Sequence, residues 1–571
     1  MTMRTKSSLF MVMLAIVVVA TGCGSSGPAA QSGSRSGSTG STAAATGPKR
    51  VVAGIPSNPP MLYNKLNVGG VGGQGAALQD LVHVGLTAYD TARVLQPRLA
   101  EQVPSIENGL WRVLPDGRME TTWRIRPNAM WHDGKPFTSD DLAFTLDAVR
   151  DRELPALADI RYTAIEGVEA PDSRTFTIRW SRPFIEADAM FSADLAAPMP
   201  KHLLEQPYSE SKAAFGDLAY WGPEFVGAGP FKVRDMQRGT GLVVDAFDQY
   251  VLGRPKVDQV EVRFILNETT LVAGILAGAI ELTLARSVSA EQGVQLRDEW
   301  KDGRMELLSD DWYVMYPQFV NPNPSVIRDL RFRRALMQAT NRQQMADTLE
   351  GGLSAVAESF VHPRETEYKD VESSLVRYAY DPRRAVEAIE ELGFTKGPDR
   401  MYQDPSGQRL EISIYATQLD AHQKMVFTLN DEWPALGIGV DPVIIPPQRA
   451  QDAEYRATFP GFSLQGHPRN PNWFYSSEAR LPEKNFRGSN NARYMSAELD
   501  GHLDRFFSTV PKAERVRALA QIVNHLSDQL VVLPLIWRVD PTMVGNRLVN
   551  VGGRGRDATQ AWNAHEWDVK S

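Results

Sequence analysis

Histidine and serine are the side chains whose spacing in this sequence could indicate metal binding or catalysis, and the spacing favours neither. No two of the nine histidines lie within five residues of each other, so a histidine-pair zinc motif is absent. Ser463 lies in the string Gly-Phe-Ser-Leu-Gln, which lacks the closing glycine of a nucleophile elbow. Carboxylates are plentiful, but nothing in the sequence pairs two of them as a glycosidase would need. We expect no enzyme, no cofactor and no metal centre.

His132 and Asp133 are the neighbouring pair that most invites a catalytic or metal-binding interpretation. They lie in a His-Asp-Gly-Lys turn between a strand that ends at Pro127 and a helix that Thr138 caps. Asp141 stands three residues after Thr138, the position from which an acid completes a capping box. An Asp-Gly step is typical of turns, and no second histidine lies nearby. We therefore favour a structural role for both residues.

The polar, aromatic segment at 462–475 is expected to be a loop. It contains no aspartate or glutamate, while Arg469 brings a positive charge. A neutral or cationic surface cannot offset the burial of a ligand ammonium group, but Arg469 can bind a carboxylate or a phosphate. Trp473, like Tyr313 and Tyr316 earlier in the chain, can stack on a sugar or pack in the core, and the sequence leaves both open.

Length and composition indicate a large globular protein. At 571 residues the chain exceeds one compact core, so two or three domains are expected. The apolar content of 43% and the charged content of 23% are those of a folded, water-exposed protein. A net charge of −8 argues against nucleic-acid binding, which would need a clustered basic surface.

The N-terminus has the pattern of a secretory signal. Arg4 and Lys6 precede an unbroken apolar run of 12 residues at 9–20, which is too short to span a bilayer. The sequence that follows, Ala-Thr-Gly-Cys, resembles a lipobox, with Cys23 as the lipidation site. The alternative is an ordinary signal peptidase site beside an unused thiol. Cys23 is the only cysteine, so an intramolecular disulfide is excluded.

Residues 23–49 after this signal are almost wholly small and polar. Such a composition cannot bury a core and predicts a disordered Gly/Ser-rich tether. A flexible chain of this length reaches about 30 Å root-mean-square. The tether would let a folded body move over a membrane surface.

Strands and helices alternate through the rest of the chain, which predicts an α/β fold. Short strands at 231–233 and 242–246 flank a Gly-Thr-Gly turn, the pattern of a hairpin. A glycine-rich run at 69–75 lacks the Lys-Ser/Thr of a P-loop, and we expect a flexible loop there. Further strands are predicted at 50–55, 122–126, 173–180, 260–265, 410–415, 439–445 and 531–537, and helices at 271–279, 382–393, 424–436 and 515–530.

Three stretches, 122–138, 226–282 and 321–342, resemble the dipeptide/oligopeptide (family 5) type of bacterial extracellular solute-binding protein, which serves ABC importers. The resemblance implies an α/β, two-lobed periplasmic-binding-protein (Venus flytrap) fold with mixed sheets, an inserted subdomain and a hinge between the lobes. The implied organisation is a lipoprotein signal peptide at 1–22, the tether at 23–49, lobe I at 50–86, 225–308 and 541–571, an inserted subdomain at 87–224 and lobe II at 309–540.

The resemblance also implies a function: an extracytoplasmic, lipid-anchored monomer that captures a peptide or similar solute by hinge closure and delivers it to a membrane permease. In peptide-binding members an acid pairs with the ligand amine, and His467 or Asn470 stands where that acid would be. The alternatives are an oligosaccharide or other non-peptide receptor, or a regulatory homologue without transport. The expected ligand-binding residues are Asn58, Met61, Tyr313, Tyr316, Asn321, Gln465, His467, Arg469, Asn470 and Trp473.

Overall fold

A computed structural model describes residues 47–67, 72–154, 156–157, 159–450, 452–467, 469–553, 555 and 558–570. The predicted signal peptide, Cys23 and nearly all of the predicted tether lie outside the described residues. The strands are, in chain order, β1 (Arg50–Ile55), β2 (Thr87–Tyr89), β3 (Leu95–Pro97), β4 (Trp111–Val113), β5 (Met119–Arg124), β6 (Ile165–Glu169), β7 (Thr175–Trp180), β8 (Phe231–Gln237), β9 (Gly241–Ala246), β10 (Gln259–Phe264), β11 (Leu282–Thr283), β12 (Gly303–Pro317), β13 (Thr395–Lys396), β14 (Tyr402–Gln403), β15 (Glu411–Ala416), β16 (Gly439–Ile444), β17 (Phe462–His467), β18 (Leu533–Gly545), β19 (Leu548–Val549) and β20 (Asp568–Val569).

The α-helices lie between these strands. They are α1 (Gly72–Val82), α2 (Ser139–Arg150), α3 (Lys201–Glu210), α4 (Lys212–Phe215), α5 (Glu268–Leu276), α6 (Ala290–Glu299), α7 (Leu330–Ala339), α8 (Arg342–Leu349), α9 (Tyr368–Val371), α10 (Pro382–Glu391), α11 (Asp420–Leu436), α12 (Ala453–Ala457), α13 (Ala497–Ser508) and α14 (Lys512–Gln529).

One mixed sheet joins the two halves of the molecule. Its strand order is β16-β15-β17-β12-β18-β11-β1-β10-β9-β8. Strand β1 is an apolar run that pairs in parallel with β10 and β11, and β9 then forms the predicted hairpin with β8. A separate sheet, ordered β4-β5-β7-β6, comes from the chain between β1 and β8 and is the inserted subdomain. The segment after Gly229 thus returns the chain to the sheet that β1 began.

Two sets of hydrophobic cores define two lobes. Lobe I is built around Val51 and Trp123, with a smaller cluster around Leu271, and lobe II around Ile414 and Ile522. Only β12 and β18, among the strands of the described residues, run through both lobes. The cores change over between 305 and 312 on β12 and between 537 and 543 on β18. The predicted boundaries, 308/309 and 540/541, fall in these intervals and stay predictions.

The crossing strands are irregular where they leave lobe I. Their antiparallel register shifts between Ser309 and Trp312, which places a β-bulge at the crossing. Arg286 of lobe I braces this point with ion pairs to Asp311 at 2.5 Å and to Asp540 at 3.0 Å. A bulge bends a strand locally, so it suits the point where the chain passes from one lobe to the other.

Local sequence signals explain several elements directly. The predicted capping box at α2 is confirmed, since the Thr138 backbone amide donates to the Asp141 carboxylate at 2.8 Å. Asp381 caps α10 as its position before Pro382 predicts. Gly239 adopts a φ of +79° in the β8–β9 turn, a conformation that favours glycine.

Two expectations about loops are wrong. Residues 462–467 form β17, an interior strand between β12 and β15, rather than the start of a loop. Paired backbone on both sides stabilises this strand despite its serine, glutamine and glycine, because tertiary pairing overrides local propensity. The glycine-rich run is also helical from Gly72 onward, while residues 68–71 lie outside the described residues.

Candidate functional site

A cavity of about 620 Å³ lies between the two lobes. The lobe I wall comes from the inserted subdomain. The lobe II wall comes from the segments after α8 and β17 together with α13 and α14, and Asp311 of β12 lies between the two walls. Its charged lining residues are Arg93, Arg161, Glu186, Asp188, Asp194, Asp311, Glu365, Glu367, Arg469, Lys512 and Arg515. A cavity of this size fits a ligand of several residues and presents charges of both signs to it.

Asp188 is a half-buried acid of the lobe I wall. It lies in a short 3₁₀ helix at Ala187–Ala189, directly after Glu186, which pairs with Arg161 at 3.3 Å. Burial raises the pKa of Asp188 to about 7, although hydrogen bonds from the backbone amides of Asp188 and Ala189 and the charge of Arg515 in lobe II lower it. Within the described part of the chain, no cationic nitrogen lies within 4 Å of this carboxylate. A cationic ligand group would therefore stabilise its ionised form.

The lobe II wall is already internally paired around Arg469. This side chain is buried and forms an ion pair with Glu365, and its guanidinium carbon lies 5.8 Å from the centre of the Trp537 ring. The Asn470 side chain accepts the Asn472 backbone amide at 3.0 Å and so caps the turn that follows. At the far end of this wall Lys512 lies 3.7 Å from Glu367. These contacts fix the wall in place before any ligand arrives.

His467 supports this wall from within an aromatic cluster. Its ring is fully buried and stacks on Phe474 with centroids 5.1 Å apart. The centre of the Trp473 ring lies 5.0 Å from that of His467, and the ring centres of Tyr316 and Trp312 lie 5.7 and 6.0 Å away. The predicted residues His467, Trp473 and Tyr316 thus come together, as a core beneath the wall.

The remaining lobe II residues predicted for the site lie along β12 and β17. Tyr313 and Tyr316 point to opposite faces of β12, and burial raises the pKa of both phenols. Gln465 is buried and donates to the Ser463 hydroxyl at 2.7 Å. Asn321 is exposed, with a φ of +57° in the turn after β12. From the predicted set, Arg469 and Asn470 are the residues of this lobe that line the cavity.

The two predicted residues of lobe I lie in the segment after β1. The Asn58 side chain accepts the Gly239 backbone amide at 2.9 Å, which links this segment to the β8–β9 turn. Met61 is half-buried against the lobe I core, and its backbone bonds to the Asn67 side chain. Both residues hold the segment in place.

The structural interpretation of the His132–Asp133 turn is confirmed. The His132 ring bonds through Nε2 with the Gly229 carbonyl at 3.1 Å and accepts the Gly227 amide at Nδ1. Asp133 accepts the Lys135 amide within the turn at 3.1 Å and contacts His202 at 2.7 Å. These bonds tie the inserted subdomain to the segment that re-enters lobe I.

Sequence reasoning missed the lobe I wall. Glu186, Asp188 and Asp194 are acids embedded in an otherwise apolar stretch, residues 183–199. Charged residues in such a run need a partner or a special site, and that is the signal that could have found them. Arg515 gave no comparable signal, because it stands in an ordinary charged helix start.

Comparisons with known proteins place the chain in a family. The family model described as "Bacterial extracellular solute-binding proteins, family 5 Middle" matches residues 94–482, more than half of the chain. A putative ABC transporter peptide-binding protein of Brucella ovis is 28% identical over 287 residues, covering 50% of this chain and 51% of that protein. The chain therefore spans about half the length of the curated Brucella relatives it matches.

Solved structures share the fold over most of the chain. The oligopeptide binding protein from Thermus thermophilus, complexed with a pentapeptide, has 22% identity and a TM-score of 0.71, with 92% of this chain and 97% of that chain covered. NikZ from Campylobacter jejuni, in complex with Ni(L-His), has 20% identity and a TM-score of 0.72, with 91% and 99% covered. Among the described residues, every helix is too short or too polar to cross a bilayer. The expected two-lobed α/β fold is confirmed, and the chain belongs to the family 5 bacterial extracellular solute-binding proteins.

Proposed function

We propose that this protein is the lipid-anchored, substrate-binding component of an ABC importer. It captures a peptide or peptide-like small solute between its lobes and delivers it to a membrane permease. The observation that carries the proposal is the cavity of about 620 Å³ whose charged walls come from both lobes. In this proposal the protein acts outside the cytoplasm as a monomer, and it performs no chemistry on its cargo.

The ligand favours closure of the two lobes because it contacts both walls only in the closed form. A ligand bound to one wall alone gains only part of its contacts, and a ligand between both walls gains all of them. Its differential affinity therefore shifts the equilibrium towards the closed form, with β12 and β18 bending at their irregular crossing. The permease then distinguishes a closed, loaded receptor from an open one.

The charges of the cavity favour a zwitterionic ligand. Asp188 offers an anion to a ligand ammonium group, and Arg515 and Arg93 offer cations to a carboxylate. In this proposal the acid that binds the ligand amine is Asp188 of lobe I, since the segment at 462–475 contains no acid. The T. thermophilus relative was solved with a pentapeptide, which supports a peptide as the ligand class. Arg469 and Asn470 would contact the ligand from lobe II.

The experiment that tests this function begins with the purified protein. Native mass spectrometry identifies any ligand that co-purifies, and titration calorimetry then compares peptides, amino acids and oligosaccharides. We expect short peptides to bind and to reduce the radius of gyration in X-ray scattering. Binding of an oligosaccharide alone would contradict the peptide assignment, and no binding with no closure would contradict a receptor role.

The lipid anchor has its own test. Replacing Cys23 by Ala removes the thiol that would carry the diacylglycerol, so the protein should move from the membrane fraction to the soluble fraction. Ser25→Ala, two residues further on, is the matched control and should stay with the membrane. Membrane retention of the Cys23→Ala protein would contradict the anchor.

A further inference from the structure

A cluster of potential metal ligands lies in lobe II, outside the interlobe cavity. Glu498 and His502 are one turn apart on α13, and His525 faces them from α14. His525 Nδ1 lies 3.7 Å from one Glu498 carboxylate oxygen, and His502 Nε2 lies 3.8 Å from the other. One ligand atom from each residue lies within 4.8 Å of the other two. The fold thus unites two histidines that the sequence separates too widely for a motif.

The donor set and its spacing suit a borderline transition-metal cation. Two imidazoles and a carboxylate are common zinc ligands, and in a tetrahedral site such atoms lie about 3.3 Å apart. Glu498 presents a different oxygen to each histidine, at 3.7 and 3.8 Å, and its side chain is 72% exposed, so it can move to bring one oxygen closer to both rings. A surface cavity of about 470 Å³, lined by Asn524 and Asp528, opens beside the histidines and leaves room for a solvent ligand.

Neighbouring hydrogen bonds determine which ring nitrogens face the cluster. The Tyr494 hydroxyl lies 3.0 Å from His525 Nε2, which turns Nδ1 towards Glu498. Arg505 donates to His502 Nδ1 at 2.5 Å, so the proton of the neutral ring lies on Nε2. Metal binding at Nε2 moves that proton to Nδ1 and displaces Arg505. The arginine can keep its second contact, to Gln521 at 3.2 Å.

We propose that Glu498, His502 and His525 form a binding site for a divalent transition-metal cation, for which Zn²⁺ is the direct probe. The site is distinct from the solute cavity, because ten residues of α14, or about 15 Å, separate His525 from Arg515 at the cavity wall. A bound ion would join α13 to α14, the two helices whose other ends line that cavity. The proposal does not depend on the identity of the solute.

Titration calorimetry of the full-length protein with Zn²⁺ near neutral pH tests the site. We expect one equivalent to bind, and Co²⁺ in its place to give the visible absorption of a tetrahedral or five-coordinate site. Glu498→Gln and His502→Gln should each weaken binding at least about tenfold, because even outer contacts of a metal site contribute that much. Glu498 is exposed, so its variant will fold. Arg505→Gln should bind Zn²⁺ more tightly than the wild type.

Two control variants keep the outcome unambiguous. His202→Gln removes a half-buried histidine of lobe I, and Asp188→Asn removes an acid of the solute cavity; neither should change Zn²⁺ binding. No binding by the wild type, or equal binding by Glu498→Gln, His502→Gln and the wild type, would overturn the proposal. Failure of Arg505→Gln to tighten binding would overturn the assignment of His502 Nε2 as the ligand atom.

Discussion

The two walls of the interlobe cavity differ in how their charged side chains are paired. On lobe II, Arg469 is buried against Glu365. On lobe I, Asp188 stands half-buried at the cavity surface, and burial raises its pKa to about 7. Around Arg469 the lobe II wall pairs its charge within the protein, whereas Asp188 of the lobe I wall leaves a charge that a ligand can pair with.

This difference separates the residues that hold the cavity from those that select its ligand. A buried ion pair contributes little net stability when formed, but breaking it leaves an uncompensated charge at high cost. A carboxylate with a raised pKa gains most when a cation arrives. Changes to Arg469 should therefore act mainly on folding, and changes to Asp188 mainly on binding.

Arg469→Met is expected to cause the largest loss of stability. A small loss would contradict the difference between the two walls. Removing the guanidinium takes a buried positive charge away from the mostly buried Glu365, at a cost of about 3–5 kcal/mol in the free energy of unfolding. Urea denaturation measures it. The matched control is Arg364→Met, because Arg364 is exposed and directly precedes Glu365 in the chain. It should change the free energy of unfolding little. A loss below about 1 kcal/mol would mean that the lobe II wall is not self-satisfied.

A second variant checks the cause of that loss. Combining Arg469→Met with Glu365→Gln removes both charges, so most of the lost stability should return. If the double variant is as unstable as Arg469→Met, the loss comes from the packing of Arg469 over Trp537 rather than from the unpaired charge.

Asp188→Asn should act on binding instead. Loss of a charge-assisted hydrogen bond to a ligand ammonium group costs about 1.5–3 kcal/mol, or roughly 10- to 100-fold in affinity. The free energy of unfolding should change by no more than about 1 kcal/mol, well below the loss expected for Arg469→Met. Glu186→Gln is the matched control, since Glu186 already pairs with Arg161. Calorimetry with a peptide and with its N-acetylated form sharpens the test, because acetylation removes the amine. Equal affinities of wild type and Asp188→Asn would contradict the assignment.

The fold was predictable where local chemistry decides it. Two helix starts are predicted by a few residues each, one by Thr138 with Asp141 and one by Asp381 with Pro382. Both are present in the structure. Strand β17 was missed because its identity depends on pairing with β12 and β15, from distant parts of the chain. Its serine, glutamine and glycine have low strand propensity, so no local signal points to an interior position.

The site was predictable only in part for the same reason. Arg469 and Asn470 were expected, and they line the cavity. Asp188 and Arg515 stand more than 300 residues apart, and only the closure of the two lobes brings them to one cavity. Tyr313 and Tyr316 look like ligand-stacking residues in the sequence, but alternation along β12 buries them on opposite faces.

Asp188 should also make the stability of the protein depend on pH, and this effect is expected to be smaller. Because the folded-state pKa of Asp188, about 7, lies above its ordinary value of 3.8, the folded protein holds this proton more tightly. Its contribution to stability is present below pH about 4 and is lost as pH rises through about 7. Asp188→Asn removes this contribution, so the stability difference between wild type and variant should fall over that range.

The stability difference between wild type and Asp188→Asn isolates the contribution of Asp188. Burial also raises the pKa of Asp80 and of Glu350 to about 7, and both contributions cancel in the difference. Asp188 is only half-buried and lines a cavity, so we expect a change of about 1 kcal/mol across the range. Urea titrations at several pH values measure it. A difference that does not change with pH would show that Asp188 ionises normally in the folded protein.

The smallest effect should come from the exposed ion pair that bridges the lobes. Lys424 of lobe II lies 3.2 Å from Glu291 of lobe I and 2.8 Å from Asp420 of its own helix, with both carboxylates largely in solvent. Such pairs contribute about 0.2–1 kcal/mol and are screened by salt. Glu291→Gln should therefore shift the ligand-free protein slightly towards the open form, as a larger radius of gyration at low salt that disappears at high salt. Glu299→Gln, on the same helix α6, is the matched control. An effect as large as that of Asp188→Asn would mean that the rim of the lobes, rather than the cavity walls, controls closure.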